Sequence, residues 1–159
     1  MDIRSITNKN RQEVNNFIVQ HWFTTDMVVR GQIFDMTVLD GLVMYENENI
    51  IGLITCRFEN SECEIMSLDS LKENCGIGTE LVKEVVKIAS EKKCTKIKLV
   101  TTNDNLNAMR FYQKRGFDMT HLYYNALEAS RKIKPSIPQK GDYGIPIKHE
   151  IEFEMKLNL

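Results

Sequence analysis

The stretch that most restricts the fold is Gly76-Ile77-Gly78-Thr79 running into Leu81, Val82, Val85, Val86, Ile88 and Ala89, with Glu80, Lys83, Glu84, Lys87 and Glu91 interleaved. Apolar residues at this spacing line one side of a 3.6-residue helix and the charges line the other, so the segment is an amphipathic helix laid on a core. Glycines at its start allow close backbone approach, and the first N–H groups of a helix have no partner within it. A diphosphate suits such a place, although the same residues also fit a plain tight turn. Two familiar nucleotide motifs are excluded. A dinucleotide fingerprint requires a third glycine where Leu81 stands, and the lysine of a phosphate-binding loop is absent.

Around this helix the pattern predicts an alternating α/β chain. Residues 2–6 read as a strand, and Val14, Phe17, Ile18, His21 and Trp22 form one buried helical stripe. A loop through Val28-Val29-Arg30-Gly31 leads to a hairpin of residues 39–45 and 50–58, then a third strand at 63–69. After the central helix, residues 96–102 form a strand, Asp104 or Asn105 caps a short helix stopped by Gly116, and strands follow at 117–124 and 151–157. Residues 125–148, between the last two strands, hold all three prolines, Pro135, Pro138 and Pro146. A connection of that length is a candidate lid or acceptor-binding element, or else a surface elaboration.

At 159 residues the chain fits one domain, and 42% hydrophobic with 27% charged residues describes a soluble globular protein. Its formal net charge of −1 gives no electrostatic reason to expect nucleic acid or an anionic membrane as partner. Cys56, Cys63, Cys75 and Cys94 form no C-x-x-C pair, and no histidine lies at zinc-finger spacing, so free thiols and no metal are expected. The start, Met1-Asp2-Ile3-Arg4, has no basic-then-apolar pattern, and the longest apolar run is too short to span a bilayer, so the expected location is the cytoplasm.

The most specific stretch is Thr101 through Phe117, in which Asn105, Ala108, Phe111, Tyr112, Gly116 and Phe117 keep an Asn-x-x-Ala-x-x-Phe-Tyr-x-x-x-Gly-Phe order. It resembles the GNAT superfamily of N-acetyltransferases, in which this pattern follows the glycine-rich helix by one strand. The resemblance covers residues 3–124 by element order and resumes at the last strand. It implies a mixed, centrally splayed sheet of six or seven strands flanked by helices, within a single domain spanning 1–159 with the insertion at 125–148. It further implies acetyl-coenzyme A as co-substrate and transfer of the acetyl group to an amine of a small molecule or peptide. A non-catalytic acyl-coenzyme A sensor is the alternative, and the protein is expected as a monomer or homodimer.

By the same resemblance Gly76, Ile77, Gly78 and Thr79, with Asn74 before them, bind the diphosphate. Leu68, Asp69 and Ser70 offer backbone groups to the pantetheine arm, and Asn103, Asn105, Ala108 and Phe111 complete the cofactor set together with Tyr112. One residue departs from the family: Gln or Arg usually stands three places before the first glycine, and here Glu73 does. Either Glu73 points to solvent or the local register differs.

Direct transfer needs a base for the amine proton and an acid for the departing thiolate. Tyr112 matches the family's acid, its phenol pKa of about 10 being close to that of a thiol; otherwise it is a buried ring capping a carbonyl. By the same resemblance Glu64 is the leading base, since it precedes Ile65 on the third strand as a glutamate precedes an isoleucine in some relatives, and desolvation on a half-buried strand raises a carboxyl toward neutrality; otherwise it is a solvated strand residue. His21, beside Trp22, is either a second candidate base or a satisfied core histidine. Arg30, in a loop that the resemblance places near the acceptor end, is either a group binding an acceptor carboxylate or phosphate bidentately or a solvated side chain.

Overall fold

The computed structural model describes residues 1–158. In chain order it contains β1 (Asp2–Ser5), α1 (Arg11–Trp22), β2 (Asp26–Val29), β3 (Gln32–Asp35), β4 (Asp40–Glu46), β5 (Asn49–Glu59), β6 (Glu62–Ser70) and α2 (Ile77–Glu91). Then follow β7 (Lys96–Thr102), α3 (Leu106–Lys114), β8 (Asp118–Tyr123), α4 (Ala126–Ile133) and β9 (Glu150–Lys156). Seven of the strands belong to a mixed, mostly antiparallel sheet, and β2 pairs with β3 alone. The packing of the described residues resolves into two compact units: Met1–Asp26 with Asp35–Ile97 and residues 157–158, and Met27–Phe34 with Lys98–Lys156.

The first unit carries the antiparallel order β1-β4-β5-β6. Its turns at Asn47-Glu48 and Asn60-Ser61 place both central residues at positive φ, the twist that two-residue hairpins demand. The core is built from continuously buried stretches of β4 and β5, which include Val43, Leu53 and Ile54, and from the buried stripes of two helices. Val14, Phe17 and Ile18 come from α1, while Ile77, Leu81, Val82, Val85 and Ala89 come from α2. Each buried Ile, Leu or Val of α2 contributes about 1.5–3 kcal/mol of transfer free energy, which anchors the helix along its length.

The helix α2 sits tightest over Gly52 of β5. A Cβ there would stand 2.5 Å from the Ile77 Cγ2 and 3.2 Å from the Leu81 Cδ1. Two bulges shape the adjoining strands. Ile51 is the extra residue where β5 meets β4, and Met66 is the extra residue where β6 meets β5. Such a residue leaves the ladder unmatched and bends its strand.

In the second unit β8 pairs antiparallel with β9, and the order is β7-β9-β8. Two differences from the sequence reading concern this unit. The loop at 28–31 is instead the turn of the β2–β3 hairpin, with Arg30 at φ 50 and Gly31 at φ 72. The insertion opens with the helix α4, whose Leu127 and Ser130 are buried, before the prolines begin.

Candidate functional site

Helix α2 begins as the glycines require. Gly76 is its N-cap at φ 75, a left-handed conformation that a side chain would strain, and Asn74 two residues earlier has φ 57. A Cβ on Gly76 would meet nothing within 4 Å, so backbone conformation and not crowding selects glycine. No side chain caps the helix, and its first backbone bond runs from the Glu80 N–H to the Gly76 carbonyl. The N–H groups of Ile77 and Gly78 therefore have no acceptor among the described residues, at the positive end of a 15-residue helix. Unpaired donors and dipole together favour an anion there. Glu73 is exposed, as are Asn74 and Cys75, while Gly78 and Thr79 are half-buried in the first turn. The exposure of Glu73 matches the first of its two readings.

On β6, Glu64 is buried, its side chain only 3% exposed, and the Arg57 Nη1 lies 3.1 Å from its Oε1. It is thus a paired interior carboxylate and not a solvated strand residue. Ser67 is also buried, its hydroxyl 2.5 Å from that of Thr55. Leu68 and Asp69 are half-buried, and the exposed Ser70 donates its hydroxyl to the Lys72 carbonyl. The Asp69 carboxylate receives the Trp22 indole N–H, at 3.2 Å from Oδ1 and 3.1 Å from Oδ2. Burial raises the Asp69 pKa above the usual carboxylate value, with the Trp22 hydrogen bond and the charge of His21 opposing.

His21 is not in the core. It is exposed at the last turn of α1, stacked on Phe17 at 4.1 Å between ring centroids, with Nδ1 2.9 Å from the Phe17 carbonyl oxygen. The helix ends one residue later, at Trp22, and Phe23 turns left-handed at φ 59. Of the two named readings for His21, the satisfied core histidine is therefore excluded.

In the second unit, Asn105 is the N-cap of α3, its Oδ1 accepting the Ala108 N–H at 3.1 Å. Its amide NH₂ has no partner among the described residues. Tyr112 lies two turns along, 6% exposed, edge-on to Phe111 at 5.1 Å and to Phe117 at 5.4 Å. Those contacts fix the ring in one orientation. Phe111 is half-buried and covered by the Arg115 guanidinium, 3.7 Å above its ring.

Asn103 does work that the sequence does not disclose. Its Oδ1 accepts the N–H groups of Lys148 and His149 at 2.8 and 2.9 Å, and its Nδ2 donates to the Pro146 carbonyl at 2.9 Å. Asp104, 6% exposed, accepts the Thr102 hydroxyl and the Asp142 N–H. Tyr143 donates to the Asn107 Oδ1 at 3.1 Å. Within the insertion, the Arg131 guanidinium reaches the carbonyls of Ile137, Pro138 and Ile147. The later part of the insertion is therefore bonded to the segment 103–107, and Arg131 joins its helix to the carbonyls of residues 137, 138 and 147.

Arg30 is likewise engaged. Its N–H donates to the Glu150 carboxylate at 3.0 Å, and its guanidinium stands 3.6 Å from the Glu152 Oε1. Glu150 and Glu152 are buried, and Glu152 also accepts from Tyr123, whose pKa is raised chiefly by burial. This group was missed because no local pattern links a turn at residue 30 to a strand 120 residues later.

Among the described residues no helix is long and apolar enough to cross a membrane. The acetyltransferase (GNAT) family model matches residues 10–117. A Bacillus subtilis protein, the uncharacterised YxbD, is 46% identical over 139 residues, which is 87% of each chain. Among solved structures, a GNAT family acetyltransferase from Elizabethkingia anophelis with acetyl-CoA bound superimposes with a TM-score of 0.69 at 20% identity, covering 98% of this chain and 97% of that one. A Bacillus subtilis acetyltransferase in complex with CoA does so with a TM-score of 0.67 at 14% identity, covering 99% and 100%. With the family model spanning well over half of its length, and a capped Asn105 helix and an open α2 start where the motifs require them, the chain belongs to the GNAT family of acetyltransferases, which take the acetyl group from acetyl-CoA.

Proposed function

We propose that this protein transfers the acetyl group of acetyl-CoA directly to an amine of a small molecule or peptide. The observation that carries the reading is the start of α2, where the N–H groups of Ile77 and Gly78 lack acceptors beside a left-handed Gly76. In this role they bind the diphosphate, and the unpartnered amide of Asn105 donates to the pantetheine arm. Leu68, Asp69 and Ser70 serve the same arm through their backbone; Thr79 stands in the first turn of α2 and Ala108 in the first turn of α3.

The amine nitrogen attacks the thioester carbon, the C–S bond breaks, and the thiolate takes the phenol proton of Tyr112. The nitrogen gives up its own proton to a base, for which Glu64 is the buried carboxylate on β6. Glu64 then releases the amine proton to solvent and the Tyr112 phenolate takes one back, so charge and protons balance over one turnover. Tyr112→Phe keeps the ring packing against Phe111 and Phe117 and removes the hydroxyl that would supply the proton. Most turnover should be lost with acetyl-CoA affinity retained, measured as thiol release across a panel of amines and as binding by calorimetry. Unchanged turnover would remove Tyr112 from the mechanism.

A further inference from the structure

We infer that Gly52, distant in sequence from either motif, is a positioning residue for the anion cradle, setting where α2 begins by letting Ile77 rest directly on the β5 backbone. The inference rests on reading the start of α2 as the cofactor's diphosphate site. Gly52 lies opposite Ser70 on β6 and Met44 on β4, and next to the bulge at Ile51. A Cβ there would stand 2.5 Å from the Ile77 Cγ2, whereas carbon atoms prefer about 3.5–4.0 Å, so the two must part by roughly 1 Å. Ile77 cannot absorb that displacement alone. Its side chain is 1% exposed and its Cγ2 is attached at a β-branch, held in one rotamer within a helix. The Leu81 Cδ1, at 3.2 Å, is the far end of a more flexible side chain and yields more easily. The helix start itself must therefore lift.

Ile77 is also the first residue of α2, and its N–H and that of Gly78 are the unpaired donors. Hydrogen bonds to an anion hold within a window of about 2.7–3.2 Å, so a shift of roughly 1 Å takes both donors out of range. The effect falls on cofactor binding and not on the acid and base, because Tyr112 and Glu64 belong to other elements.

The test compares Gly52→Ala, Gly52→Ala/Ile77→Ala and Gly78→Leu by acetyl-CoA calorimetry, steady-state kinetics and thermal melting. Gly52→Ala should weaken binding and raise KM for acetyl-CoA about tenfold or more, the equivalent of losing one or both charge-assisted bonds, with kcat at saturation within about twofold. Removing the Ile77 branch in the double variant should return affinity to within about threefold of the parent, and this holds as a test even where Gly52→Ala alone does not fold. A folded Gly52→Ala with unchanged affinity would overturn the inference, as would a folded double variant in which affinity is not restored. Gly78→Leu separates the two levels of the reading. If it leaves acetyl-CoA affinity intact, the cradle assignment fails and takes this inference with it; if it abolishes binding, the Gly52 result stands on its own.

Discussion

Asn105 has two separable tasks, and three substitutions distinguish them. Its Oδ1 caps α3 by accepting the Ala108 N–H at 3.1 Å, and its NH₂ is the group assigned to the pantetheine arm. Asn105→Ala removes both. Losing an N-cap of this kind costs about 1 kcal/mol, which lowers the melting temperature by roughly 2–4 °C in a chain of this size. Losing one hydrogen bond to the cofactor, at about 0.5–1.5 kcal/mol, weakens binding by roughly two- to tenfold. Asn105→Asp keeps the cap, because a carboxylate oxygen accepts the same N–H and favours the helix dipole, but it has no donor left for the ligand. Asn105→Ser also keeps a cap, through a shorter side chain. The account predicts that Asp and Ser melt within about 1 °C of the parent while acetyl-CoA binding falls as far as in Ala. Melting is read by calorimetric scanning and affinity by titration at one temperature. The reasoning is refuted if affinity tracks melting temperature across the three variants, since Asn105 would then act only as a cap.

Asp69 supplies a pH prediction. Burial raises its folded pKa above the unfolded value, so its contribution to stability is full below about pH 3.9 and is lost as pH rises through the folded value. Asn keeps the oxygen that accepts from Trp22 and cannot ionise; Asp69→Asn should melt higher than the parent at pH 7, with the gap closing toward pH 3, and equal gaps at both pH values would contradict the burial argument. Arg131→Ala strips three carbonyls of their shared cation, and with hydrogen bonds to charged groups worth about 1.5–3 kcal/mol, limited proteolysis should shift to residues 134–147. An unchanged cleavage pattern would show that the insertion is held by other means. Glu64→Gln keeps the size of the buried group facing Arg57, so it should lower turnover while leaving acetyl-CoA affinity unchanged; unaltered turnover would move the base elsewhere.

What the chain disclosed in its letters depended on how local the cause was. Helix α2 was legible because periodicity, glycines and charges all lie within sixteen residues, and Asn105 because a cap and its N–H are three residues apart. The β2–β3 hairpin was hidden because Arg30 occupies a left-handed position that usually falls to glycine or asparagine. Helix α4 was masked by the prolines that follow it, which read as loop although the first turns are free of them. His21 fitted the buried stripe by spacing, yet α1 ends at Trp22 and the final turn extends past the core. The partners Trp22–Asp69, Arg57–Glu64, Arg30–Glu150 and Asn103–Lys148 are set by strand register and loop path, which no local pattern encodes.

The central claim is that the start of α2 binds the diphosphate of acetyl-CoA, and the most direct measurement is a calorimetric titration of the protein and its Gly78→Leu variant with acetyl-CoA, with NAD and ATP as controls. The account predicts micromolar binding of acetyl-CoA to the parent, its loss in the variant, and no comparable binding of either control. A folded parent that does not bind acetyl-CoA, or a folded variant that binds it equally well, would contradict it.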